Sequence, residues 1–76
     1  MLTKIENYVI NRVKELRLLN NLSQADLAFK INLSPGFIGK VESFKYGSKY
    51  NLNHINEISK ALNISPKELM PDNYFE

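Results

Sequence analysis

The sequence predicts an all-α fold of five short helices packed around one small core. Three observations carry that reading. The pattern Asn-apolar-Ser occurs as Asn21-Leu22-Ser23, Asn32-Leu33-Ser34 and Asn63-Ile64-Ser65, each time where one helix stops and the next starts. Between these marks, apolar residues recur at spacings of three and four, as one face of a helix requires. No window alternates with period two for long enough to argue for a strand. At 43% hydrophobic and 24% charged, the 76 residues suit one globular domain spanning 1–76 and are too apolar for disorder.

The punctuation has a physical basis. Asn tolerates the left-handed backbone that closes a helix, because its short side chain hydrogen-bonds locally. Ser two places later caps the next helix by accepting a bond from an orphan backbone N–H. Asp26 and Glu68 stand three residues after Ser23 and Ser65, which predicts two capping boxes. Leu22, Leu33 and Ile64 pair with Leu27, Ile38 and Leu69 as hydrophobic staples. Pro35 and Pro66 fall at first helical positions, where a missing N–H is harmless. The tripeptide spacings, 11 and 31 residues, are too unequal for a solenoid.

The elements follow in order. The first helix runs from about Lys4 to Asn20 with Ile5, Tyr8, Val9, Val13 and Leu16 on its apolar face. The second, Gln24 to Ile31, buries Leu27, Ala28 and Ile31. The third, Pro35 to about Ser43, buries Ile38 and Val41. A loop, Phe44 to Asn51, leads to a fourth helix, Leu52 to Leu62, with Leu52, Ile55, Ile58, Ala61 and Leu62 inward. A fifth, Pro66 to Met70, ends at Pro71 and leaves a tail over 71–76.

Composition removes several function classes. Without cysteine there is no disulfide, thiolate zinc site or cysteine nucleophile, as befits a reducing cytoplasm. His54 is the lone histidine and has no companion at ligand spacing, so it is expected to be a surface or capping residue, with no metal site. The serines have capping roles and no general base beside them. No nucleophile, acid–base pair or phosphate loop is present, so neither enzymatic activity nor a cofactor is expected. There is no signal-like N-terminus and no run of about 18 apolar residues, which predicts a soluble, cytoplasmic protein without a membrane partner. Residues 30–50 hold Lys30, Lys40, Lys45 and Lys49 against Glu42 alone, whereas the remainder has six basic and seven acidic side chains. The excess positive charge is therefore concentrated around the third helix.

Helices two and three are separated only by Asn32, Leu33 and Ser34, the short connection of a helix-turn-helix unit over residues 23–43. The run LSQADLAFKINLSPGFIGKVE, preceded by VINRVKELR and followed by INEISKALNISPKEL, resembles the Cro and phage-repressor type of helix-turn-helix family across roughly residues 9 to 70. This resemblance implies a compact five-helix, lambda-repressor-like DNA-binding domain, with double-stranded DNA as partner. It also implies a homodimer on a near-palindromic site, with the two recognition helices about one DNA turn, roughly 34 Å, apart. Arg17 and Glu42 match positions that pair across helices one and three. The departures are Asn21, Asn32 and Asn63 in place of glycines, a longer loop after helix three, and Pro35, Gly36 and Gly39 where relatives project long polar side chains.

By the same resemblance, Gln24 reaches a DNA phosphate, and the N–H groups opening helices two and three, including that capped by Ser34, favour anions. Lys40, Lys45, Tyr46 and Lys49 form a basic, aromatic-interleaved surface suited to phosphates. Pro35 and Phe37 either meet thymine methyls or, for Phe37, the ring is half-buried against helix two. Gly36 and Gly39 add no side chain; at Gly39 either a close approach from outside or tight packing on helix two demands the vacancy. The expected function is a sequence-specific DNA-binding transcriptional regulator, a dimeric repressor. The alternative is a protein-interaction module that kept the fold but lost base reading. With five helices using nearly the whole chain, no small-molecule ligand is expected. Dimer contacts could come from Ile10, Leu18, Leu19 and the tail Asn73–Glu76, or the tail could fold back onto helix one.

Overall fold

The computed structural model describes all 76 residues. It is all-helical: α1 (Lys4–Leu19), α2 (Gln24–Lys30), α3 (Pro35–Ser43) and α4 (Leu52–Leu62), followed by a 3₁₀ turn (Pro66–Leu69) where the sequence suggested a fifth α-helix. No helix is long and apolar enough to cross a membrane.

Each Asn-apolar-Ser tripeptide supplies the last two residues of one helix cap and the first of the next. Asn21, Asn32 and Asn63 have φ of 56°, 58° and 56°. In each case the apolar residue then sends its N–H back over the turn: Leu22 to the Arg17 carbonyl, Leu33 to Ala28 and Ile64 to Ser59, at 3.0, 2.9 and 3.0 Å. This is the Schellman closure, which satisfies carbonyls that would otherwise be orphaned. Leu22, Leu33 and Ile64 then press on the core, so chain reversal and apolar packing are one event.

The starts are also built locally. Ser23 and Asp26 form the expected reciprocal box, at 2.9 Å in both directions. Thr3–Glu6 and Asn51–His54 form two further boxes; in the second, His54 Nδ1 accepts the Asn51 N–H at 3.0 Å. The box expected between Ser65 and Glu68 does not form. Ser65 Oγ accepts from Lys67 N–H instead, because the segment winds as a tighter 3₁₀ turn with a steeper rise. The Glu68 carbonyl accepts from Arg12 Nε at 2.8 Å, which ties this turn to α1.

The core joins Val9 and Val13 of α1, Leu27, Ala28 and Ile31 around α2, Ile38 of α3, Ile55, Ile58 and Leu62 of α4, and Leu69. Two expected faces shift. On α1, Ile10 is buried while Ile5 and Tyr8 are exposed, so Ile10 is unavailable for a dimer contact. α1 packs against α3, α4 and the 3₁₀ turn, and Val9, Ile10, Val13 and Arg17 are its buried residues. On α4, Leu52, the first residue of the helix, is exposed. Leu18 and Leu19 remain exposed, and the tail returns to α1, where the Phe75 ring lies 6.1 Å from that of Tyr8.

Candidate nucleic-acid interface

The orientation of α3 is held from behind. Arg17 of α1 meets Glu42 of α3 through two hydrogen bonds, Nε to Oε2 at 2.9 Å and Nη2 to Oε1 at 2.8 Å. Its third nitrogen, Nη1, donates to the Leu22 carbonyl at 2.6 Å. Gln24, first residue of α2, donates Nε2–H to the same Glu42 Oε1 at 3.0 Å. One carboxylate thus joins all three helices. A planar guanidinium suits this role because its fork matches both oxygens at once.

On its outer face, α3 is nearly bare. Ser34 caps the helix by accepting the Phe37 N–H at 3.1 Å, and Pro35 follows at the first helical position. Both are exposed. A Cβ added to Gly36 would meet only Ser34 Oγ, at 3.9 Å, so that position opens to solvent. A Cβ on Gly39 would meet only Gln24 Oε1, at 3.4 Å. Neither backbone of α2 nor its core residues press on Gly39; the tip of one side chain lies beside it.

Phe37 is turned away from solvent. Its ring sits 5.1 Å from His54 and 6.2 Å from Tyr50, centroid to centroid, and it is half-buried against the core to which α2 and α4 both contribute. Tyr50, near the end of the loop between α3 and α4, is half-buried, and its hydroxyl is enclosed without a hydrogen-bond partner. Burial pushes the Tyr50 hydroxyl pKa upward, the Glu42 charge adds to that, and Arg17 opposes it.

The lysines separate into two groups. Lys40 and Lys45 are exposed; Lys40 Nζ stands over the Tyr46 ring at 5.5 Å from its centroid, a cation–π contact that keeps both on the surface beside α3. The Lys45 N–H bonds to Ser43 Oγ at 3.3 Å, which holds the start of the loop against the helix end. Lys49 instead pairs with Glu6 of α1 at 2.8 Å. That hydrogen bond, together with the Thr3 N–H, draws the Glu6 carboxyl down to about 2. The charge of Lys49 is thereby engaged within the protein.

The third helix ends at Ser43, where the sequence placed it, but the way it closes was not foreseen. Phe44 closes that helix with φ 62°, a left-handed conformation that is rare for a bulky residue, and Gly47 follows at φ 68°. The ring of Phe44 borders a shallow cleft with Met1, Leu2 and Tyr46. The only local signal was position, immediately after the last α3 residue. No three His, Asp or Glu side chains gather at metal-binding distance.

A helix-turn-helix family profile matches residues 13–69. The chain is 37% identical over 60 residues to control protein C.BamHI of Bacillus amyloliquefaciens, covering 78% of this chain and 72% of that protein. The restriction-modification controller protein C.AhdI of Aeromonas hydrophila has a similar structure, with TM-score 0.71 and 36% identity over 83% of this chain and 92% of its own. The wild-type restriction-modification controller C.Esp1396I aligns with TM-score 0.74 and 26% identity over 84% of this chain and 80% of its own.

Proposed function

The chain belongs to the helix-turn-helix family, and from that premise we propose that it is a sequence-specific, DNA-binding transcriptional regulator of the restriction-modification controller kind. The observation that carries this reading is the braced, exposed face of α3. Arg17 and Glu42 fix the helix from behind and Gln24 braces it at the side beside Gly39, while Ser34, Pro35, Gly36 and Lys40 stand free in front, with Lys45 and Tyr46 beside them. A helix held at a defined angle with small residues in front admits close approach of a DNA groove, and the flanking cations neutralise phosphates.

Lys40 and Lys45 supply the phosphate contacts, since both are exposed and unpaired with any carboxylate. Lys49 contributes less, because Glu6 already holds it. Phe37 acts as packing behind α3 rather than as a thymine contact. The protein works as a homodimer in the cytoplasm on a near-palindromic duplex, so that two α3 helices enter successive major grooves. Leu18 and Leu19, together with Ile5, Phe29 and Leu52, are among the exposed apolar residues available for self-association.

The side-chain-poor face of α3 also favours a second reading, a protein-interaction module on the same scaffold. The two part in salt dependence. Selection of bound duplexes from a random pool, followed by affinity measurement against salt, is expected to enrich one motif and to show affinity falling steeply as salt rises. Absence of both enrichment and low-salt binding would rule out the regulator.

A further inference from the structure

The Gln24 amide has one end engaged and one end free. Its Nε2 faces a carboxylate that only accepts hydrogen bonds, so the assignment of nitrogen and oxygen follows from chemistry, with Oε1 on the opposite side. That oxygen receives no hydrogen bond within the protein, yet it is not among the enclosed, unpartnered atoms, so it reaches solvent. It lies beside Gly39, in the space a side chain there would share, 3.4 Å from the missing Cβ. Arg17 fixes Glu42, Glu42 fixes Gln24, and the absent Gly39 side chain leaves the amide open toward the α3 face.

We propose that Gln24, seated beside Gly39, is a specificity-determining residue that reads an adenine edge in the major groove. The proposal rests on the DNA-binding reading above. A phosphate has only acceptor oxygens, so it has nothing to offer Oε1. An adenine edge supplies both complements: its N6 amino group donates to Oε1, and its N7 accepts the second Nε2–H, the one Glu42 leaves free. Other α3-face side chains cannot substitute. Pro35, Gly36 and Gly39 have no polar side-chain atoms, Lys40 only donates, and Ser34 Oγ, with one lone pair already taken by the Phe37 N–H, is a single atom that cannot match an adenine edge with a separate donor and acceptor as an amide does. A polar group borrowed from α2 thus restores base readout to a recognition helix lacking its own.

The test uses the full chain and the duplex it enriches from a random pool. In that duplex each adenine is replaced in turn by purine, which keeps N7 and lacks the 6-amino group. The wild-type protein is expected to lose about tenfold in affinity at one adenine per half-site. Gln24→Met and Gly39→Val, the second filling the space beside the amide, should bind adenine and purine there within about twofold of each other. Thermal unfolding of each variant is followed in parallel, and the wild-type analogue series decides the matter even if a variant unfolds. The proposal is overturned if no single adenine responds to removal of its amino group. It is equally overturned if Gln24→Met weakens all duplexes alike with its motif unchanged, as loss of a phosphate contact would. Failure of the wild type to enrich any duplex would instead remove the DNA-binding reading, and this inference with it.

Discussion

Arg17 and Glu42, 25 positions apart in sequence, form a two-pronged ion pair in the interior, with side-chain exposures of only 6% and 3%. Burying such a pair sacrifices much hydration, so its net contribution is modest, but removing either partner leaves an uncompensated charge. Arg17→Ala or Glu42→Ala is expected to lower stability by about 3–5 kcal/mol, a large share of what a domain of this size has. The double substitution Arg17→Met with Glu42→Leu should recover most of the loss. Urea unfolding of the three variants checks this; equal destabilisation in the double variant would contradict it.

Asn32 adopts φ 58° in the turn between α2 and α3. Glycine takes that conformation without steric penalty, whereas alanine does not and lacks the compensating local hydrogen bonding of asparagine. Asn32→Gly should change stability by no more than about 0.5 kcal/mol, and Asn32→Ala should lower it by roughly 1 kcal/mol. Chemical denaturation midpoints measure the difference. Equal behaviour of the two variants would show that the backbone angle carries little energy.

Acid should weaken the junction between α1 and the loop. The Glu6 carboxyl is lowered from its ordinary 4.5 to about 2 by Lys49 and the Thr3 N–H, and Asp26 is lowered by the Ser23 backbone and hydroxyl. Because the folded values are depressed, the stabilisation is present above about 4.5 and is lost as pH falls toward 2. Melting temperature is therefore expected to fall across that window, with a shallower fall in Glu6→Gln. Salt should diminish the part due to Lys49, since the pair is solvent-exposed.

The lysines should differ in their effect on DNA binding. Lys40→Ala and Lys45→Ala are each expected to weaken binding across unrelated sequences and to reduce the slope of log affinity against log salt by about one. Lys49→Ala should leave that slope nearly unchanged, because its charge is already matched by Glu6. Fluorescence anisotropy over a salt series separates the three. A Lys49 effect equal to that of Lys40 would mean that the Glu6 pair opens on binding.

The helix boundaries were legible because they are made by neighbours in sequence. Ser23 and Asp26 bond each other across one turn, and Asn63 and Ile64 return their N–H groups to Lys60 and Ser59. The failed box at Ser65 shows where such reading ends, since the 3₁₀ winding of that segment accompanies the contact of Glu68 with Arg12, 56 residues away. Phe44 was missed for a related reason. Its left-handed backbone occurs at a residue type that carries no signal for it.

By itself, then, the sequence determined that this is an all-helical chain, where its four α-helices start and stop, and that the excess positive charge lies over residues 30–50, around the third helix and the loop behind it. Those features rest on hydrogen bonds spanning three to five residues, and on apolar spacing along a single helix. Only the tertiary structure decided that Ile10 rather than Ile5 is buried, that Phe37 turns toward Tyr50 and His54, that Lys49 is engaged by Glu6, and that Gln24 lies beside Gly39. A wide apolar face offers several side chains for burial, and a long polar one can reach several partners. The choice is made by whichever element packs nearby, and that is a property of chain segments distant in sequence.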